Sequence, residues 1–116
     1  MPIIDHSDVR LAPTTERVRE RYLVSKDLGA VSLTVKEVEI SPGWEGRMHT
    51  HPIDVSIQIL SGAIQIILDD EVRTVRAGTT LLVPPRVPYK MIHHLWTPVL
   101  LLITYPSSEL QTDYLE

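Results

Sequence analysis

The sequence predicts an all-β domain of the barrel or sandwich type, and three observations carry that prediction. Short apolar runs alternate with polar residues at period two, Gly and Pro punctuate them at close intervals, and no segment sustains helical spacing. Apolar residues make up 43% of the chain and include no Phe, so the core must be built from Ile, Leu and Val. Branching at Cβ restricts χ1 and suits a pleated surface, which favours strands further. A length of 116 residues fits one domain (1–116) and is too short for two independent cores.

Taken in order, the stretch through Pro13 lacks periodicity and reads as an extended N-terminal arm (1–13). Arg17 to Val24 alternates weakly, and Ser25-Lys26-Asp27-Leu28-Gly29 ends it on a glycine turn. Val31, Leu33 and Val35 share one face of the next strand, then the phase shifts to Val38 and Ile40, predicting a bulge near Lys36-Glu37. Ser41-Pro42-Gly43 stops that strand. A short strand over Arg47 to His51 ends at Pro52, which has no N–H to donate. Val55 to Leu60, a turn at Ser61-Gly62, and Ile64 to Leu68 follow, with Asp69-Asp70-Glu71 as a polar hairpin tip. Val72 to Val75 returns, Ala77-Gly78 turns into Thr79 to Val83, and Pro84-Pro85 stops it. Tyr89 to His93 is extended, Leu95 to Pro98 is a loop, and Val99 to Thr104 is the last strong strand. Residues 107–116 read as a tail, either a loose arm or a short helical turn. Val99 to Ile103 is apolar on both faces, so one face fills the barrel and the other must meet a second sheet or another subunit. A homodimer is the expectation.

Composition excludes several function classes. With no Cys there is no disulfide, thiolate metal site or cysteine nucleophile. A net charge of -4 and the mixed-sign cluster Glu16 to Arg21 offer no electrostatic footing for nucleic acid. The opening residues carry Asp5, Asp8 and Arg10, and the apolar run Val99 to Ile103 is far below membrane-spanning length. The expected protein is therefore soluble and cytoplasmic, with a small-molecule ligand and neither nucleic acid nor membrane as partner.

The residues that could carry chemistry centre on His49-Thr50-His51. A side-chain period of two sends both imidazoles to one face of a strand, and Arg47 shares it. Histidines facing an apolar interior need partners. A divalent transition metal is one solution, and it wants three or four protein donors with a position left open. Tyr89 and His93 share one face of a later strand and are the candidates to complete the set, whereas alternation aims Asp54 the other way. Blander readings compete: Tyr89 as a barrel-lining aromatic, and His93 and His94 as one inward and one outward residue. Arg86 and Lys90 could clamp an anion but read equally as solvated charges, and Trp44 and Trp96 either line a pocket mouth or simply pack. Tyr22 and Tyr105 receive no role.

From Pro42 to Tyr89 the spacing resembles the cupin superfamily. Its first motif pairs a Pro-Gly turn with His-x-His and a later Gly, as in Pro42-Gly43, His49-Thr50-His51 and Gly62. Its second runs from Gly through a Pro-rich turn to His, matched here by Gly78, Pro84-Pro85 and, at the His position, Tyr89. The chain is most similar to small single-domain cupins related to the pectin-degradation protein that linearises unsaturated uronates, including the closing Tyr105 to Leu115. The resemblance implies a cupin (double-stranded β-helix, or jelly-roll) barrel with an interior His-x-His pocket. It also implies a metal-dependent isomerase, ring-opening enzyme or oxygenase acting on a small polar or carboxylated metabolite. In that reading His49, His51 and His93 hold Fe, Mn, Ni or Zn, Tyr89 and Arg47 are catalytic, and there is no organic cofactor. Two departures weigh against it: Val55 stands where metal-binding members place Glu or Gln, and Tyr89 replaces their third His. A metal-free or weakly metallated ligand-binding sensor is one alternative. A metal-free cyclase or isomerase, in which these side chains do acid–base work directly, is the other.

Overall fold

The computed structural model describes residues 1–116 and forms them into two antiparallel sheets that face each other across an apolar interior. After a 3-10 turn at His6–Asp8, the chain runs through β1 (Ala12–Thr15), β2 (Val18–Val24), β3 (Thr34–Ile40), β4 (Trp44–Glu45), β5 (His49–Thr50) and β6 (Val55–Ser61). It continues through β7 (Ala63–Leu68), β8 (Glu71–Arg76), β9 (Thr80–Val83), β10 (Tyr89–His93), β11 (Val99–Tyr105) and β12 (Asp113–Tyr114). One sheet has the order β1-β2-β3-β11-β6-β9, and the other β12-β5-β10-β7-β8, with β4 also paired to β10. The all-β jelly-roll expected of the sequence is the fold observed.

Alternation explains the core. Along β11, Val99, Leu101, Ile103 and Tyr105 are buried, while Leu100, Leu102 and Thr104 between them are only partly covered. Together with Val38, Ile40, Ile57, Ile64 and Ile66 they form the interior cluster, a core of Ile, Val and Leu, as a chain without Phe requires. Gly62 is held at φ +80 between β6 and β7, and a Cβ there would lie 2.6 Å from the Pro98 carbonyl oxygen, so the turn demands glycine.

Several local expectations are corrected. The β3–β11 register runs unbroken from Thr34 to Ile40, so β3 carries no bulge at Lys36-Glu37. The irregularity falls on β2, between Tyr22 and Val24. Val31 and Leu33 precede β3 and are exposed, which removes the residues that suggested a change of phase. The N-terminal arm is partly ordered. Arg21, paired with Glu37 at 2.8 Å, donates to the carbonyls of His6 and Val9, both at 3.0 Å, and pins the arm over the outer face of the first sheet. The C-terminal tail is no helical turn: it supplies β12, which extends the second sheet beside β5. The strand expected over Arg47 to His51 shortens to His49–Thr50. No helix is long and apolar enough to cross a membrane.

Candidate functional site

The site is built where three short strands meet. On β10, Tyr89 stands opposite His49 of β5, and β12 places Tyr114 on the other side of His49. His51 follows directly after β5. Its carbonyl accepts the Arg86 N–H at 2.7 Å, and Arg86 takes φ 64 to leave the Pro84-Pro85 turn in position to donate. The His49 and His51 rings lie 4.8 Å apart between centroids, with Tyr89 4.3 Å from His49 and 5.8 Å from His51. All three line one cavity of about 240 Å³, walled by Val38, Ile40, Met91 and Trp44. Gly46 makes Trp44's position possible, since a Cβ there would come within 2.7 Å of the indole.

Backbone carbonyls fix the protonation of both imidazoles. His49 Nδ1 lies 2.7 Å from the Arg47 carbonyl, and His51 Nδ1 lies 2.8 Å from that of Gln111. A carbonyl only accepts, so each Nδ1 carries the hydrogen and each Nε2 keeps its lone pair. Neither Nε2 makes a hydrogen bond within the protein, and both rings line the cavity. Burial pushes His49 below the usual imidazole range; its bond to Arg47 opposes that shift, and the nearby His51 adds to it. Burial also drives the Tyr89 phenol far above the tyrosine range, so it is a hydrogen-bond donor and not a phenolate. Tyr89 is 4% exposed, lines the same cavity, and its hydroxyl makes no hydrogen bond within the protein.

The structure brings together His49, His51 and Tyr89 and leaves the other two predicted site residues outside. His93 lies four positions beyond Tyr89 along β10, about 13 Å at strand rise. The His93 ring lines no part of the cavity, and its Nε2–H donates to the Thr97 carbonyl at 2.7 Å, which ties down the 94–98 loop. His93 does face inward, as alternation predicts, but beyond the floor of the site. Arg47 is exposed. Its guanidinium donates to the Glu116 main-chain oxygen at 2.8 and 3.1 Å and lies 3.9 Å over the Tyr114 ring, so it secures the tail. Lys90 is held by the Glu116 carboxylate, Asp54, Arg86 and His94 face solvent, and Trp96 is fully exposed.

The donor set does not fit the divalent metal that the sequence suggests. Two imidazoles and one phenol, with no carboxylate beside them, fall short of the three or four imidazole or carboxylate donors such a site is built from. Val55 is buried in the core, and no group of three or more His, Asp or Glu residues is placed to hold an ion. Sequence reasoning missed Gln111 and Thr112, which hold His51 through the tail, and Lys36, Glu20 and Tyr105, which border the cavity. The tail had no periodicity to announce its role, and Lys36 lay at the supposed bulge.

A family profile of the cupin domain matches residues 36–105, and the chain belongs to that family. Among solved structures it resembles the polyketide cyclase RemF from Streptomyces resistomycificus with a TM-score of 0.86 at 21% identity, covering 100% of this chain and 86% of that one. KdgF from Halomonas sp. gives a TM-score of 0.74 at 16% identity, over 89% and 90% of the two chains. The oxalate decarboxylase of Lactobacillus farciminis gives 0.79 at 17% identity, over 95% of this chain but 34% of that longer one. At such identities the likeness is one of fold. No curated protein matches the chain in sequence.

Proposed function

We propose that this cupin is an acid–base enzyme, a cyclase or isomerase that works on an enolisable carbonyl compound without a metal. The observation that carries the reading is the pair of imidazoles whose Nδ1–H groups are committed to backbone carbonyls. Each thereby keeps Nε2 free of any protein partner beside a cavity that Tyr89 also lines. His49 Nε2 removes a proton from the carbon next to the substrate carbonyl, and the C–H electron pair forms an enolate. Tyr89 donates its O–H hydrogen bond to the developing oxyanion, which costs it nothing in a site where it has no other partner. The His49 imidazolium returns the proton at a new position, completing an isomerisation. Where the enolate carbon instead attacks a second carbonyl of the same molecule, a ring closes and the proton passes to the new alkoxide. His49's depressed basicity keeps it neutral and ready at physiological pH. The full-length likeness to a structure described as a polyketide cyclase supports the same reaction class.

The homodimer expected from the sequence stays within this reading, because Leu60 and Leu82 stand exposed on the outer face of the first sheet. Light scattering at two concentrations checks it. The activity is tested by following deuterium uptake from D₂O next to the carbonyl of α-tetralone by proton NMR. Uptake above buffer that survives EDTA supports the reading, whereas a wild-type rate equal to buffer refutes it.

A further inference from the structure

The cavity containing the histidines does not end at its own wall. A second cavity of about 630 Å³ shares Glu20, Lys36, Tyr105 and Leu110 with it. Both follow the inner face of β3: Ile40 and Val38 border the histidine chamber, Lys36 borders both, and Thr34 borders the larger one. From Ile40 to Thr34 this is about 20 Å of strand. The boundary is an ion pair, Lys36 Nζ to Glu20 Oε1 at 3.2 Å, with both side chains more than four-fifths covered. The rings of Tyr22 and Tyr105 flank the ammonium at 5.8 and 6.0 Å.

Three physical facts indicate a ligand at this boundary. A volume of about 240 Å³ lies below the usual range for small-molecule pockets, roughly 300–1,000 Å³, so a ligand confined to the histidine chamber would be very small. Lys36 has three N–H donors, and Glu20 takes one. Burial works against its charge, but Tyr105, Glu20 and Tyr22 outweigh that, and the ammonium is held charged beyond the ordinary lysine range. A charged donor with two N–H groups beyond the one Glu20 takes, near two tyrosine rings, suits a flat anion.

We propose that the Lys36–Glu20 pair is a second substrate subsite, and that the ligand is an extended, multi-ring molecule with an acidic phenol or enol oxygen. That oxygen takes the free Lys36 donors, the rings lie between Tyr22 and Tyr105, and one end reaches His49, His51 and Tyr89. The inference rests on the acid–base reading for what happens at that end. Binding at Lys36 is read separately from turnover.

The probe is alizarin, a hydroxyanthraquinone whose visible absorption shifts when a phenol ionises, titrated at a pH where the free dye is neutral. Wild-type protein is expected to bind it with the phenolate spectrum. Lys36→Met should abolish the shift and weaken binding at least about tenfold. Glu20→Gln, which frees the ammonium, should tighten binding. Leu110→Trp lies on the tail at 40% exposure, where folding tolerates it, and should weaken binding by filling the junction. The proposal is overturned if wild type gives no shift, if Lys36→Met keeps it, if Glu20→Gln does not tighten, or if Leu110→Trp binds like wild type. A positive titration without deuterium uptake would leave the subsite standing and remove the acid–base reading alone.

Discussion

Two histidine environments in this barrel face inward and differ in which nitrogen the backbone takes. At His49 and His51 the carbonyls take Nδ1, and the outer nitrogen is left to the cavity. At His93 the Thr97 carbonyl takes Nε2, and Nδ1 is buried without any partner, in a residue with no exposed surface. The first arrangement leaves Nε2 without a protein partner in a ring that lines the cavity. The second uses the ring as a strut between a strand end and a loop. Residue type is the same in each, so in the acid–base reading proposed above the position of one backbone carbonyl separates a histidine available for chemistry from a structural one.

The largest expected effect breaks the reactive half of this comparison. His49→Gln keeps a polar side chain but has no basic nitrogen, so deuterium uptake should fall by about 10²–10⁴-fold, the usual contribution of a general base. Its melting temperature should stay close to wild type. Next is the strut. His93→Ala empties a fully buried site and frees the Thr97 carbonyl, which should cost about 2–4 kcal/mol in urea unfolding. Should His93→Ala lose exchange activity while keeping its stability, the assignment of the two histidine classes would be reversed.

Much of this was legible from residue order alone. The strand rhythm, the Gly62 turn and the shared face of His49 and His51 follow from period-two alternation and from Gly and Pro placement, while the meeting of Tyr89 with that pair was implied by the cupin resemblance. The rest depended on distances along strands and on tertiary pairing. Alternation put His93 on the correct face but took no account of the length of strand between it and Tyr89. Arg47 failed for a related reason: β5 begins only at His49, so no strand alternation governs Arg47. Lys36 was hidden because exposed Val31 and Leu33 mimicked a strand of opposite phase, and the unbroken pairing with β11 restores it to the inner face.

A smaller change sharpens the comparison by asking what the site lacks. Tyr89→His would add a third imidazole close to the existing two, where Tyr89 now stands 4.3 Å from His49. Zinc affinity, measured by competition with a chromophoric chelator, should rise at least about tenfold, or roughly 1.4 kcal/mol. No rise would mean that the two free Nε2 lone pairs do not converge on one point.

The smallest effect is carried by protons. His49 binds a proton less readily folded than unfolded, because burial disfavours the charged ring. As pH falls past the ordinary value of 6.5, the unfolded chain takes up that proton first. Stability from this residue is therefore full above 6.5 and is lost progressively from there down through His49's lower folded value. Melting temperatures between pH 7.5 and 5 should decline, and His49→Gln should flatten part of that decline. If wild type and His49→Gln lost stability in parallel across this window, the imidazole would not be desolvated, and the case for His49 as a neutral base in a half-buried site would fail with it.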